Sequence, residues 1–132
     1  YSPMGEMGAV SAELAEALAR TAGMSCAICD RDAVIAAAGG VKKDILERSI
    51  SSELEQLMER RECYERGADE QLEVLISSQD GCAVVAEAPI IADGDVSGCV
   101  AFVSEKEDEK ADEVLLKLCQ SAAQFLSKRI AV

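Results

Sequence analysis

The fold of this chain is decided by the stretch CAVVAEAPIIADGDVSGCVAFVS, which occupies residues 82–104. Two apolar runs, residues 82–91 and 96–104, flank an Ala-Asp-Gly-Asp sequence at residues 92–95. Asp-Gly between two such runs is the strongest short-range signal for a β-hairpin, because both residues tolerate the positive φ angles of its turn. A second Asp-Gly follows an apolar run at residues 72–78, so the pattern predicts an antiparallel meander of three strands.

A helix and two further strands precede the meander. Residues 4–22 are rich in alanine and carry apolar side chains at steps of three and four, so they predict an amphipathic helix that Gly23 ends. The apolar residues 24–29 and 34–38 predict two strands, and the turn at residues 30–32 predicts a tight hairpin between them.

Helical periodicity returns in residues 41–61 and in residues 111–132. The first stretch predicts two short helices, with Ser52 as the N-cap of the second because Glu55 completes a capping box. The polar residues 63–71 predict a loop. Since the strands of the meander are almost continuously apolar, both faces of the sheet must be covered. The fold class is therefore α+β: an antiparallel sheet of about five strands, with the terminal helices on one face and the short helices on the other.

The composition predicts one acidic domain with a cytoplasmic location. A chain of 132 residues fits a single domain, and its 25 acidic against 13 basic residues give a net charge of −12. This charge would repel a phosphate backbone, so the chain alone is not expected to bind DNA or RNA. No apolar run approaches the roughly 20 residues that cross a bilayer, and we recognise no signal peptide. The start at Tyr1 without methionine suggests a fragment of a longer protein.

Six cysteines lie mostly in apolar runs, where a free thiol behaves as a small hydrophobic side chain. Cys26 and Cys29 have the two-residue spacing of a zinc or redox motif. Residues three apart in a strand point to opposite faces, however, so these two thiols are not expected to share a metal. The chain has no histidine and no second pair of this kind, and we therefore predict no metal site.

The C-terminal helix has more apolar surface than packing on one sheet requires. Its apolar residues cover about 200° of arc, whereas a core-facing stripe needs about 100°. The spare surface, together with that of the first helix, predicts a homodimer or homotetramer formed through the terminal helices. The candidate interface residues are Met7, Leu14, Leu115, Leu118, Ala122, Phe125 and Leu126. The alternative is that alanine-rich helices are simply well buried within one subunit.

Several stretches carry a likeness to a known family: YSP at residues 1–3, the alanine-rich helix that follows, SCAICDRD at 25–32, KKD at 42–44, API at 88–90 and AAQFL at 122–126. In these stretches the chain resembles the C-terminal domain of the stage V sporulation protein T family. Proteins of this family are sporulation transcription regulators with an AbrB-type DNA-binding domain. The resemblance implies a GAF fold over residues 1–132 that serves as a sensor and oligomerisation domain. It also implies that DNA is bound by a separate N-terminal domain, which is missing here.

The resemblance implies a small-molecule pocket on the face opposite the terminal helices, and we expect it beside the segment that starts at Gly39. Gly39 and Gly40 allow close approach of a backbone, and Lys42 and Lys43 follow them in an acidic chain. With Ile45, these residues form the candidate ligand site, where a lysine and the amides of a helix start would hold a small anionic metabolite. Two alternatives stay open: both lysines are solvated charges, or side chains fill the pocket. With no histidine and few aromatic residues, cyclic nucleotide and tetrapyrrole cofactors are not expected.

An enzymatic role is the weaker alternative. Methionine sulfoxide reductases share the implied fold and use reactive cysteines, so Cys63, Cys82 and Cys99 are candidates for thiol redox chemistry. Of these, Cys63 has arginines close in sequence, which is the electropositive setting that a reactive thiol needs. Glu87, between two alanines in a strand, is expected at an edge or on a solvated face. We therefore predict a non-enzymatic regulatory domain that controls DNA binding by a separate domain; a purely structural dimerisation domain is the other alternative.

Overall fold

The computed structural model describes residues 7–67, 73–74, 82–106 and 111–130 of the chain. The predicted helix ends at residues 4–6 and 131–132, the turn at 79–81 and most of the strand predicted at 72–78 lie outside the described residues. Within the described ranges the elements, in chain order, are α1 (Gly8–Ala22), β1 (Ser25–Asp30), β2 (Val34–Ala38), α2 (Lys42–Ile45), α3 (Ser52–Arg60), β3 (Tyr64–Glu65), β4 (Glu73–Val74), β5 (Ala83–Ala92), β6 (Asp95–Ser104) and α4 (Glu113–Ile130).

The strands form one antiparallel sheet in the order β2-β1-β6-β5-β3, with β4 also paired to β5. The predicted hairpin at its centre is confirmed, because Ala92 pairs with Asp95 and leaves Asp93 and Gly94 as a two-residue turn. The φ angles of these two turn residues are 53° and 84°. Two consecutive positive φ angles are what a type I′ turn requires, and this turn matches the natural twist of the strands it joins.

The predicted hairpin between β1 and β2 is also confirmed. Its turn is held by the carboxylate of Asp30, whose Oδ1 atom accepts hydrogen bonds from the N–H groups of Asp32 and Ala33, each at 2.8 Å. This is the way in which aspartate commonly stabilises a turn, by bonding to backbone a few residues further on.

Two short strands cover part of the outer edge of β5. β3 pairs with Ala86 and Glu87, and β4 pairs with Ala83 and Val84. The sequence predicts a loop at residues 63–71, and this prediction is wrong where β3 lies. Two residues in a polar stretch carry no periodicity, and their extended form depends on pairing with a distant strand.

Beyond the part covered by β3 and β4, the edge of β5 offers few bonding groups. Pro89 has no backbone N–H to donate. The carbonyl oxygen of Ile91 accepts a hydrogen bond from the Ser127 hydroxyl on α4. This edge is therefore blunted by a proline and by a helix side chain.

Side chains alternate between two core layers, one on each face of the sheet. Along β1, Cys26 and Ile28 belong to the layer under α1 and α4, whereas Ala27 and Cys29 belong to the layer under α2 and α3. α1 packs on β1 and β2, and α4 packs on β5 and β6. The prediction of terminal helices on one face and short helices on the other is thus confirmed. Phe102 is the largest fully buried side chain and lies in the layer under the terminal helices.

The face of α1 that meets the sheet contains small side chains, which let the helix approach closely. Val10 and Leu14, which the periodicity assigns to the core face, are half-buried on its flank. The helix ends as predicted at Gly23, where φ is 66° and the N–H donates to the Ala19 carbonyl at 2.8 Å. The buried residues of this face are Met7, Ser11, Ala15 and Leu18.

The N-cap of α3 is Ser51 and not Ser52, so that prediction is wrong by one residue. Ser51 Oγ accepts a hydrogen bond from the Leu54 N–H at 3.1 Å, whereas the Ser52 hydroxyl donates to Glu53 Oε1. The shift lets Leu54 enter the core, where it is fully buried. Among the described residues, none of the helices combines the length and hydropathy of a membrane span.

Candidate functional site

The segment predicted to bind a ligand leaves β2 through two glycines that differ in their surroundings. Gly39 has a φ of 105° and packs so closely on β1 that a Cβ atom there would lie 2.4 Å from Ser25 Oγ. Gly40 is exposed, and a Cβ atom there would meet nothing within 4 Å. The close backbone approach that the sequence suggests for both glycines is therefore found at Gly39.

The other three predicted ligand residues lie on α2. Lys42 and Lys43 are exposed, whereas Ile45 is fully buried in the core layer under α2 and α3. Because α2 has only four residues, it offers little of the aligned dipole with which longer helices attract anions. The predicted residues thus have different environments: two exposed cations, one core residue and two turn glycines.

A cavity of about 480 Å³ opens where β1 begins and β6 ends. This volume falls within the roughly 300–1,000 Å³ of small-molecule sites. Its lining includes Gly40 and Val41 from the predicted segment, Ser25 and Ser104 from the strand ends, and Lys106. Lys106 is a cation that sequence reasoning did not select, because it lies far from the glycines along the chain.

Glu87 is a carboxyl group in the interior of the sheet. Its side chain is fully buried, and neither Oε atom has a hydrogen-bond partner within the described residues. It lies on the face under α2 and α3, since its neighbours Ala86 and Ala88 belong to the opposite layer. Burial raises the pKa of this carboxyl to about 8, while the charge of Arg60 lowers it and that of Glu62 raises it. Such a pKa favours the protonated, uncharged carboxyl at neutral pH.

The expected position of Glu87 at an edge or on a solvated face is wrong. Glu87 has strand neighbours on both sides, since it pairs with Tyr64 on β3 and with Ala101 on β6. A charged residue within an apolar strand did correctly indicate an unusual position. Its burial depends on β3 and α3, which come from another part of the chain, and so the local sequence could not reveal it.

The cysteines divide into five buried thiols and one exposed thiol, Cys63. Cys26 and Cys29 lie in opposite core layers, as strand geometry predicts, and so they cannot bind one metal ion together. Burial raises the pKa of Cys26 to about 12 and that of Cys82 to about 11. Such thiols are poor nucleophiles, and Cys99 is also fully buried. The described residues hold no group of three or more His, Cys, Asp or Glu side chains suited to a metal.

Cys63 lines a second cavity, of about 420 Å³, between the edge of β5 and α4. The Gln120 side-chain amide donates a hydrogen bond to Cys63 Sγ at 3.6 Å, and Pro89 and Ser127 also line the cavity. Of the three cysteines considered for redox chemistry, Cys63 is therefore the one that a reagent can reach.

α4 carries its spare apolar surface in one stripe. Val114 and Phe125 are exposed to 62% and 46%, and Leu118 between them is half-buried. With Ser121, these positions recur at steps of four, three and four residues, so they share one side of the helix. The Arg129 guanidinium lies 5.9 Å from the centre of the Phe125 ring, within the range of a cation–π contact.

The predicted interface residues fall into three groups by exposure. Phe125 is exposed, and Leu14 and Leu118 are half-buried. Sequence reasoning did not select Val114, which is the most exposed large apolar side chain described. The remaining four candidates are buried in the core of this subunit; they are Met7, Leu115, Ala122 and Leu126.

Solved structures with a similar arrangement of helices and strands include several GAF domains. The GAF domain of a phosphoenolpyruvate-protein phosphotransferase from Acinetobacter matches with a TM-score of 0.73 at 12% sequence identity, over 94% of this chain and 81% of that chain. The cofactor binding GAF domain of the nutrient sensor CodY from Clostridium difficile matches with a TM-score of 0.63 at 14% identity, over 90% of this chain and 83% of that chain. The molecule therefore has the fold of a GAF domain, as the resemblance in sequence implies.

The sequence narrows this class to one family. Residues 6–131 match the family described as "Stage V sporulation protein T C-terminal, transcription factor". The chain is 35% identical to stage V sporulation protein T of Bacillus subtilis (strain 168) over 130 residues, which cover 98% of this chain and 72% of that protein. The chain belongs to the stage V sporulation protein T C-terminal family and is a regulatory domain. Because the family is one of transcription factors, it supports a non-enzymatic role.

Proposed function

We propose that this chain senses a small effector and associates with a second copy through its terminal helices, and thereby controls DNA binding by a separate domain of its parent protein. The parent would act in the cytoplasm, where the regulated DNA lies. The family and the GAF fold support a regulatory role, and the net charge of −12 supports DNA contact by another domain. The observation that carries the proposal is the exposed apolar stripe on α4.

The stripe on α4 suits a helix of a second copy. Single exposed apolar side chains are common on proteins, but Val114, Leu118 and Phe125 share one helix side, and together with the polar Ser121 they have the four-and-three spacing of a coiled-coil seam. α1, which contacts α4, carries the same spacing in Val10, Leu14 and the exposed Ala17. Two helices from each copy would then form a four-helix interface that covers the apolar area of both.

The association is tested by the molar mass of the chain in solution, measured by light scattering after size-exclusion chromatography. We expect a dimer or tetramer, and we expect a monomer after Val114→Glu and Phe125→Glu are combined, because buried glutamates would face one another in the interface. Gln124→Glu is the matched control, since Gln124 is exposed on the same helix but off the stripe. A wild-type chain that stays monomeric at high micromolar concentration would overturn this part of the proposal.

The sensing part of the proposal concerns the cavity at Gly40. The GAF domain of CodY is described as cofactor binding, which supports a ligand for this fold. Lys106 lines the cavity, and Lys42 and Lys43 follow Gly40 on an exposed surface. These three lysines outnumber Glu105, the one carboxylate among the residues that line the cavity. We therefore propose an anionic effector, a small carboxylate or phosphate compound.

A thermal-shift screen tests the sensing part. Amino acids, nucleotides and phosphorylated metabolites are added one at a time, and a compound that binds the folded state raises the Tm by mass action. We expect Lys106→Ala to reduce the shift of any such compound, while Lys117→Ala, an exposed lysine on α4, leaves the shift unchanged. A screen with no shift would favour the purely structural dimerisation role.

A further inference from the structure

The buried carboxyl of Glu87 is a feature that the proposed effector site does not use. Glu87 pairs with Tyr64 on β3 and with Ala101 on β6, and its charge acts on the thiols of Cys99 on β6 and Cys119 on α4. The charged groups that act on it are Arg60 at the end of α3 and Glu62 just after it. Within the described residues, no hydrogen bond reaches either carboxyl oxygen, although a buried polar group without a partner is unfavourable.

The guanidinium of Arg60 interacts with two carboxyl groups, those of Glu62 and Glu87. Its Nε atom is 2.6 Å from Glu62 Oε1, while its charge also acts on the buried Glu87. The side chains of Arg60 and Glu62 are exposed to 52% and 58%, and an ion pair as exposed as this contributes little to stability. An ionised Glu87 without a partner would be strongly unfavourable. Arg60 can therefore leave Glu62 at small cost once Glu87 becomes charged.

The backbone beside this cluster is the C-terminal cap of α3, where a shift of the helix end would change the backbone angles. Arg61 ends α3 with a φ of 58°, and its N–H bonds to the carbonyls of Leu57 and Met58. Few residues other than glycine adopt this left-handed conformation. Hinges are commonly a few residues at the end of an element that absorb a change of backbone angle.

We propose that Glu87 is a proton-operated switch, in which loss of its proton to solvent draws Arg60 from Glu62 to Glu87 and shifts the end of α3 on the sheet. In the protonated state Glu87 is neutral and Arg60 pairs with Glu62 at the surface. In the ionised state the planar guanidinium of Arg60 can bond both oxygens of the Glu87 carboxylate. The switch goes beyond the proposed function, because it needs neither an effector nor a second copy.

The switch is tested by NMR on the isotope-labelled chain, titrated from about pH 6 to 9.5 to span the raised value. The side-chain carboxyl carbon of Glu87 is identified by its loss in Glu87→Gln. We expect it to titrate with a midpoint near pH 8, and the amides of residues 57–62 to shift with the same midpoint. Arg60→Gln should raise this midpoint and remove the amide shift, whereas Glu62→Gln should lower the midpoint. Glu55→Gln removes one exposed carboxylate from α3 and should change neither signal.

Four results would overturn the switch. Glu87 could titrate near the ordinary glutamate value; it could titrate near pH 8 while the amides of residues 57–62 stay unmoved; or the amide shift could persist in Glu87→Gln. The fourth is an unchanged midpoint in Arg60→Gln, because Arg60 is the group that the switch moves. None of these readouts depends on effector binding or on the light-scattering mass, so the switch and the proposed function can fail separately.

Discussion

Gly39 lies against Ser25 so closely that a Cβ atom on Gly39 would stand 2.4 Å from the Ser25 hydroxyl oxygen and 2.7 Å from its Cα atom. This contact fixes the point at which the chain leaves β2 and crosses the start of β1. The neighbouring Gly40 has no such contact within 4 Å. Two adjacent glycines thus form a natural pair of test positions.

Gly39→Ala should destabilise the domain, and Gly40→Ala should not. At Gly39 an alanine would have a positive φ angle as well as the overlap with Ser25, and strain and overpacking each cost about 1–3 kcal/mol. We expect the free energy of unfolding to fall by about 2–4 kcal/mol, and to change by less than about 0.5 kcal/mol for Gly40→Ala. Urea denaturation followed by circular dichroism measures both. Equal losses at the two positions would contradict the placement of Gly39.

The capping of α3 gives a second paired prediction. Ser51→Ala removes the oxygen that accepts from the Leu54 N–H at 3.1 Å, and we expect a loss of about 1 kcal/mol in the free energy of unfolding. Ser52→Ala removes a hydroxyl that bonds only an exposed glutamate side chain among the described contacts, so the change should stay below about 0.5 kcal/mol. If Ser52→Ala were the more damaging variant, the capping box predicted from the sequence would be correct after all.

The buried Glu87 predicts that stability falls as pH rises. The pKa of glutamate is about 4.3 in an unfolded chain, while burial raises it to about 8 in the folded state. Between these values the folded state holds one proton more than the unfolded state. Its free energy of unfolding should therefore fall by about 1.4 kcal/mol per pH unit through this group, and the loss should end above pH 8.

The measurement compares urea unfolding of the wild type, Glu87→Gln and Glu55→Gln at several pH values between 5 and 8. Glu87→Gln has no proton to lose, so its slope should be flatter by the stated amount. Glu55→Gln controls for the removal of one negative charge from an exposed position. Identical slopes for the wild type and Glu87→Gln would show that the carboxyl titrates normally.

Thiol reactivity should single out Cys63. This thiol is exposed and the other five are buried; burial raises the pKa of Cys26 and Cys119 far above that of a free thiol. A chromogenic aromatic disulfide should therefore label one thiol quickly in the native chain and six after denaturation. Cys63→Ser should remove the fast phase. A fast phase that persists in this variant would mean that one of the buried layers opens readily.

The parts of the fold that the sequence predicts are those with a local physical signal. Asp93 and Gly94 are residues that tolerate positive φ, and the structure uses both in that way. The alternation of side chains along β1 places Cys26 and Cys29 in opposite layers, and this can be predicted without knowing which strands pair with β1. Gly23 likewise ends α1 through the left-handed conformation for which glycine is suited.

The parts that could not be predicted depend on distant segments. β3 exists because Tyr64 and Glu65 pair with β5, and nothing in a polar pair of residues indicates this. The environment of Glu87 is set by β3 and α3 together, and Lys106 reaches the cavity at Gly40 from the end of β6. For the interface, helical periodicity identifies apolar positions but does not say which face of α4 the sheet covers. That is why Leu115 and Leu126 were candidates although both are buried.

The proline and the occupied carbonyl on the last part of β5 bear on how copies of this molecule can join. An unprotected strand border acts as a template on which further chains can add without limit, the route to fibrils. Here Pro89 has no N–H to donate to an incoming strand, and the carbonyl oxygen of Ile91 already accepts a hydrogen bond from the Ser127 hydroxyl. Open-ended addition of strands along this part of the sheet is thereby disfavoured.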